Sequence, residues 1–200
     1  MLQYILTPSD KYSIAEQAQM AIEGGCGWII LSLGDLSDEE ARTALVPDVV
    51  EMCRQAGVFL TICDRPKLAR ELGLHGVHIS TAFATAHPDM TPAALRDTLG
   101  PEAVIGVETA DASAVPTLTA ADIDYVCTPA TFCESERRTF VNAVRDSGAK
   151  MPVVVQGDIT VDNAAALLAE GFSALAASDF ITEADDPVEA TREILQKIGQ

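Results

Sequence analysis

The sequence predicts a single (β/α)8 TIM barrel over residues 1–200, and three observations carry the prediction. Short apolar or β-branched runs alternate with helix-like segments along the whole chain at a spacing of roughly two dozen residues, the βα period of that fold. No G-x-G-x-x-G turn follows an early apolar run, which argues against an open doubly wound sheet. The third observation is Pro152–Asn163, PVVVQGDITVDN, where a buried strand (Val153-Val154-Val155) meets a turn (Gln156-Gly157-Asp158) and a helix opening near Thr160. Asp162 falls in that helix's first turn, where negative charge suits the dipole. A second such step follows at once, with Ser173–Ala177 leading into Ser178-Asp179. In a (β/α)8 barrel the loops after strands seven and eight together make a phosphate site.

The remaining elements follow in order. Gln3–Thr7 is strand one, closed by Pro8. Ser13 caps a helix through Ala15, Ala18 and Ile22, Glu16 completes a capping box, and Gly24-Gly25 ends it. Trp28–Leu33 is strand two. Ser37 caps a long helix through Cys53 that stops near Gly57, with Pro47 a break inside it. Val58–Ile62 is strand three, Lys67–Leu72 a short helix and Gly76–Ile79 strand four. Thr81–Met90 reads as a wetter connecting segment, and Thr91-Pro92 opens a helix to Leu99. Ala103–Val107 is strand five, Ala112–Leu118 a helix and Ile123–Cys127 strand six. Ser135–Ser147 is a helix, and Asp186-Pro187 begins the last one, to Ile198.

A hydrophobic content of 48% in 200 residues suffices for one full core, hence one domain. Thirteen basic residues against thirty acidic ones leave a net charge of −17, which argues against nucleic acid and against anionic membrane surfaces. No apolar run reaches the length of a membrane span. Met1-Leu2-Gln3-Tyr4 enters a strand without a basic or signal-like segment, so a cytoplasmic location is expected. Five cysteines, at 26, 53, 63, 127 and 133, form no C-x-x-C pair and are expected as free thiols. Cys26 and Cys53 sit in apolar surroundings and read as buried, whereas Cys63 and Cys127 fall at strand ends.

A set of landmarks recurs in fixed order. They are Gly24-Gly25 before strand two, Asp64 after strand three, Gly76-Val77-His78-Ile79 at strand four and Ile105-Gly106-Val107 at strand five. Asp122–Val126 runs into strand six, and Gly157-Asp158-Ile159-Thr160-Val161-Asp162-Asn163 follows strand seven. In their order and spacing, over nearly the whole length, the chain resembles the thiamine phosphate synthase and thiazole tautomerase family of barrels. The resemblance implies a transferase joining a hydroxymethylpyrimidine pyrophosphate to a thiazole phosphate, with magnesium as cofactor and a small-molecule ligand at the carboxyl-terminal face. Such chemistry is mostly positioning and charge neutralisation, which needs cations and free backbone N–H groups.

Several family positions carry other residues in this chain. The Gln-x-Arg-x-Lys pattern ending strand two falls on Ile30, Ser32 and Gly34, and the Asn-Asp pair after strand three on Cys63-Asp64, which keeps one magnesium carboxylate. The second carboxylate falls on Phe83, the strand-six loop Thr128–Glu134 lacks the family's lysine, and the tautomerase histidine falls on Ala130. The second of two glycines after strand seven is Asp158, and the serine after strand eight aligns with Asp179. A carboxylate in an anion cup repels phosphate by about 1–4 kcal/mol at 4 Å, for effective dielectrics of 80 to 20.

The candidate ligand-binding set is therefore Ser32, Cys63, His78, Glu108, Thr128, Gln156, Gly157, Asp158, Ser178 and Asp179, with Asp64 as the metal carboxylate. Structural alternatives stand beside these roles. Asp158 reads equally as a helix N-cap, Asp179 as a cap before Ile181, His78 as a packed core histidine and Cys63 as an inert thiol. Asp64, Glu108, Asp158 and Asp179 follow strands three, five, seven and eight, and only Arg65 stands immediately beside any of them. The expectation is an acidic mouth that excludes phosphate and tolerates a divalent metal or an amine. The main alternative to an enzyme of thiamine biosynthesis is a non-catalytic or re-purposed barrel that binds a small molecule or a divalent cation. Assembly into a homo-oligomer stays open.

Overall fold

Eight short strands close into a parallel barrel in strict chain order, each bonded to its sequence neighbours and the last to the first. They are β1 (Leu2–Leu6), β2 (Trp28–Leu31), β3 (Phe59–Cys63), β4 (Gly76–Ile79), β5 (Val104–Glu108), β6 (Tyr125–Cys127), β7 (Val153–Gln156) and β8 (Ala174–Ala177). The computed structural model describes residues 1–200 apart from the side chains of 44–47. The expected pairing of the last two strands is present, with Val154 opposite Ala174 and Val155 opposite Leu175.

The connections are α1 (Ile14–Glu23), α2 (Asp38–Glu40), a π-helical turn at Ala41–Leu45, α3 (Val46–Ala56), α4 (Pro66–Glu71) and α5 (Thr81–Ala86). There follow α6 (Pro92–Leu99), a 3-10 turn at Ala112–Ala114, α7 (Val115–Ala120), α8 (Glu134–Asp146), α9 (Val161–Glu170), α10 (Asp179–Thr182) and α11 (Pro187–Lys197). The capping box expected of Ser13 with Glu16 is made, and the Ser37 cap is completed by Glu40. The long helix expected from Ser37 with a break at Pro47 is divided into three segments, the last of them, α3, beginning at Val46. The segment expected as a wet connection is helical over Thr81–Ala86, because Ser80 Oγ accepts the Phe83 amide at 3.1 Å and caps it. Among the described residues no helix is long and apolar enough to cross a membrane.

Strand residues that face outward pack under the helices in one large apolar cluster, from Leu2 and Leu6 round to Leu175 and Ile194. The barrel interior is smaller and more polar. Tyr125, Cys127, Val154, Ala174 and Ala176 form its buried cluster, with Trp28 packed against it. A Cβ at Gly106 would lie 1.9 Å from Tyr125 Cζ, so the tyrosine ring occupies the place of a β5 side chain. That ring meets Trp28 edge-on at 5.6 Å, its hydroxyl lies 2.9 Å from His78 Nδ1, and Trp28 Nε1 donates to Thr61 Oγ1 at 3.1 Å. The interior is thus plugged by side chains, and the polar tips of Tyr125, His78, Trp28 and Thr61 find partners there.

At the amino-terminal ends of the strands Arg96 acts as a clasp. Its guanidinium donates to the carbonyls of Ala103 and Asp122, and to Asp124 Oδ2 at 3.1 Å. Asp124 Oδ2 also accepts the Ile105 amide at 2.8 Å, so one arginine ties α6 to the entries of β5 and β6. Satisfying carbonyls with a planar multi-donor fork is what arginine does better than lysine.

Candidate functional site

The carboxyl-terminal ends of the strands carry two separate cavities. The first, about 560 Å³, opens over β2, β3 and β4 and is lined by Ser32, Cys63, Asp64, Lys67, Phe83 and His87 among others. Asp64 takes a left-handed backbone, φ 59°, a conformation that Asp adopts more readily than most residues. Its carboxylate accepts the Ser80 amide and the Ser80 hydroxyl, both at 2.7 Å. Since Ser80 also caps α5, Asp64 fastens the loop after β3 to the loop after β4. Phe83 lines the same cavity, its ring 4.4 Å from that of His87.

Arg65 lines the first cavity, but its guanidinium turns to Asp38 and to the carbonyls of Leu36 and Gly34, away from the Asp64 carboxylate. Two cations that sequence reasoning overlooked stand near the acids. Lys67, exposed, lines the same cavity as Asp64, and Arg137 of α8 reaches Asp158. The expectation that Arg65 alone stands beside them is corrected accordingly.

The second cavity, about 430 Å³, lies over β7 and β8 and is lined by Ala130, Gly157, Asp158, Ser178, Asp179 and Phe180 among others. Gly157 is required there. Its φ is +79°, and a Cβ would sit 2.4 Å from the Ala130 carbonyl oxygen. Asp158 also has a positive φ, 48°, and its side chain is 90% exposed with Oδ2 3.6 Å from Arg137 Nη2. The N-cap of α9 is Thr160, whose hydroxyl accepts the Asn163 amide, so the capping alternative for Asp158 is set aside. Asp179 opens α10 without a side-chain capping bond. Ser178 Oγ is buried with no hydrogen-bond partner among the described residues, and so is Thr128 Oγ1 at the end of β6.

Glu108 and Gln156 stand between the cavities. Glu108 accepts Gln156 Nε2 at 3.0 Å and the Thr81 amide at 3.3 Å, which links β5, β7 and the start of α5. Below them, His78 is buried, bonded to Tyr125, and its imidazole is pushed below its ordinary pKa by burial, which favours the neutral ring. Burial, reinforced by Asp64, pushes the Cys63 thiol up to about 12, and burial also raises Cys127. Neither is a thiolate near neutral pH, so neither is poised as a nucleophile.

The four acids share the carboxyl-terminal face but do not gather. Among the described residues no three His, Cys, Asp or Glu side chains come together as a metal-holding group. Asp64 offers one carboxylate, both of whose oxygens already serve Ser80. Magnesium is commonly held by one or two carboxylates with waters and substrate phosphates rather than by a full protein cage, and Asp64 is the carboxylate that would hold it here.

A closed parallel barrel with its cavities over the carboxyl ends of the strands defines the class, a TIM-barrel protein. The chain belongs to the thiamine monophosphate synthase family, whose model matches residues 3–181. It is 30% identical over 206 residues to a thiamine-phosphate synthase of Bacteroides fragilis, covering 97% of this chain and 98% of that protein. It is 32% identical over 203 residues to the thiamine-phosphate synthase of Bacillus velezensis, covering 96% of this chain and 86% of the other. In fold it is similar to thiamine phosphate pyrophosphorylase from Pyrococcus furiosus, with a TM-score of 0.82 and 21% identity over 98% of this chain and 94% of that one.

Arg137 left a legible signal in the sequence. It lies at helical spacing from Phe140, Val141 and Val144, the buried face of α8, and an arginine on such a face is unusual. Tyr125 left a weaker one, since only the register of β6 against β5 brings it opposite Gly106.

Proposed function

We propose that this chain is a diverged member of the thiamine monophosphate synthase family that makes no thiamine phosphate at a rate comparable with the family's enzymes. Its mouth holds a small cationic or amine-bearing molecule in place of phosphates. One observation carries the reading: the cavity over β7 and β8 is lined by two carboxylates, Asp158 and Asp179, and by no lysine or arginine. A phosphate placed there meets repulsion of about 1–4 kcal/mol from each acid within 4 Å. Ile30, Ser32 and Gly34 at the family's strand-two cation positions add support, as does the strand-six loop without lysine. Asp64, Ser32 and Cys63 in one cavity, with Gln156, Gly157, Asp158, Ser178 and Asp179 in or at the rim of the other, form the binding surface. Glu108 joins the two, while His78 and Thr128 act from below as packing groups. Residence in the cytoplasm and a small-molecule partner belong to the same reading, the latter supported by the net charge of −17.

An assay with both phosphorylated substrates and magnesium tests it, and turnover comparable with that of a family synthase overturns it. Retained synthase activity is the second reading. In its favour stands the 30% identity to the Bacteroides fragilis synthase across nearly the whole of both chains.

A further inference from the structure

We propose that Arg137 is the cation of an oxyanion site whose present occupant is the chain's own Asp158 carboxylate. The proposal deepens the reading of the mouth given above and rests on it: phosphate is refused there because an internal anion already holds the charge.

Arg137 is 5% exposed, on the apolar face of α8 beside Phe140 and Val141. Its Nε and Nη2 are buried without a hydrogen-bond partner among the described residues. Buried donors are nearly always satisfied, so these two nitrogens have donor capacity that Asp158 does not fill. The fork of donors matches the oxygens of a carboxylate or a phosphate. Asp158 supplies the charge but not the bond, because its Oδ2 stands 3.6 Å from Nη2. It approaches from a left-handed turn, with its side chain 90% exposed, and it lines the cavity over β7 and β8. The ion pair thus lies at the border between helix packing and cavity, with the guanidinium on the buried side. A free oxyanion, unconstrained by the turn, can meet the fork at hydrogen-bonding distance where Asp158 does not. With Asp158 in place the fork's partner is that carboxylate; with it removed, the class of guest is a small phosphate- or carboxylate-bearing molecule.

Calorimetric titration of the full chain with pyrophosphate, and separately with succinate, tests the proposal and tells phosphate from carboxylate. Asp158→Gly removes the internal anion at a position whose φ suits glycine. The expected result is a gain in affinity of about tenfold or more for at least one probe, abolished by adding Arg137→Gln. No gain in Asp158→Gly overturns the proposal. So does a gain that survives Arg137→Gln, since loss of repulsion alone then explains it. If the double variant does not fold, the Arg137 Nε–H resonance of Asp158→Gly is followed by NMR during titration, and a signal that stays put overturns the proposal equally. Tight pyrophosphate binding by the unaltered chain defeats the underlying reading of the mouth, an outcome distinct from all of these.

Discussion

Two arginines at opposite ends of the barrel, Arg96 half-buried and Arg137 buried, have different fates. Arg96, beneath the strands, meets two carbonyls and the Asp124 carboxylate and ties three elements together. Arg137, near the mouth, meets a single carboxylate at 3.6 Å and leaves Nε and Nη2 unbonded. Among the described residues Arg96 leaves its Nε alone without a hydrogen bond, 3.3 Å from Asp122 Oδ2, whereas Arg137 leaves two nitrogens so. In (β/α)8 proteins the amino-terminal face serves stability and the carboxyl-terminal face serves chemistry, and the two arginines follow that division. The lesson is that the bonds a guanidinium makes, three to the entries of β5 and β6 for Arg96 against one long ion pair for Arg137, separate the two cations better than burial does.

Three substitutions break or sharpen the contrast. The largest effect is expected at Arg96→Met, which strands the Ala103 and Asp122 carbonyls and the Asp124 carboxylate. Denaturant unfolding should show a loss of about 3 kcal/mol, and a loss below about 1 kcal/mol erases the distinction. Ser80→Ala comes next. It removes one of the two hydrogen bonds to Asp64 and the cap of α5, at an expected cost of about 1–2 kcal/mol in the same measurement. Unchanged stability there means that Asp64 does not fasten the two loops and is free to serve a ligand. The smallest effect is expected at Arg137→Met. Its partner is exposed and readily solvated, and an apolar stem of similar length refills the space, so stability should change by less than about 1 kcal/mol. A loss as large as that of Arg96→Met makes Arg137 structural and removes the contrast altogether.

The fold was readable because its signals are local. Val153–Val155, the Gly157 turn and the Thr160 cap specify a βα step within a dozen or so residues, and Ser13 with Glu16 or Thr91 with Pro92 mark helix starts just as locally. Helix α5 was hidden because its cap, Ser80, is held from another loop by Asp64, a contact between residues remote in sequence. The strand-end positions of the candidate residues were equally legible, since strand ends follow from the strands. Their partners were not. That Asp64 and Ser80 pair, that Glu108 takes Gln156, and that Arg137 reaches Asp158 are all consequences of barrel closure. Four acids at strand ends suggested one acidic mouth, whereas Asp64 lines one cavity, Asp158 and Asp179 the other, and Glu108 stands between them.

Tyr125 has a further consequence for whatever the mouth holds. Its ring fills the volume that Gly106 leaves open, and its hydroxyl is engaged by His78 on the far side of that glycine. The barrel is therefore a shallow dish with a floor, and no part of a ligand can descend along the axis. Anything bound must lie flat across the strand ends, and a long substituent has to leave sideways between loops. The same geometry couples two positions on neighbouring strands. A chain that acquires a side chain at 106 can keep its barrel only by giving up the tyrosine at 125, and the floor would drop with it.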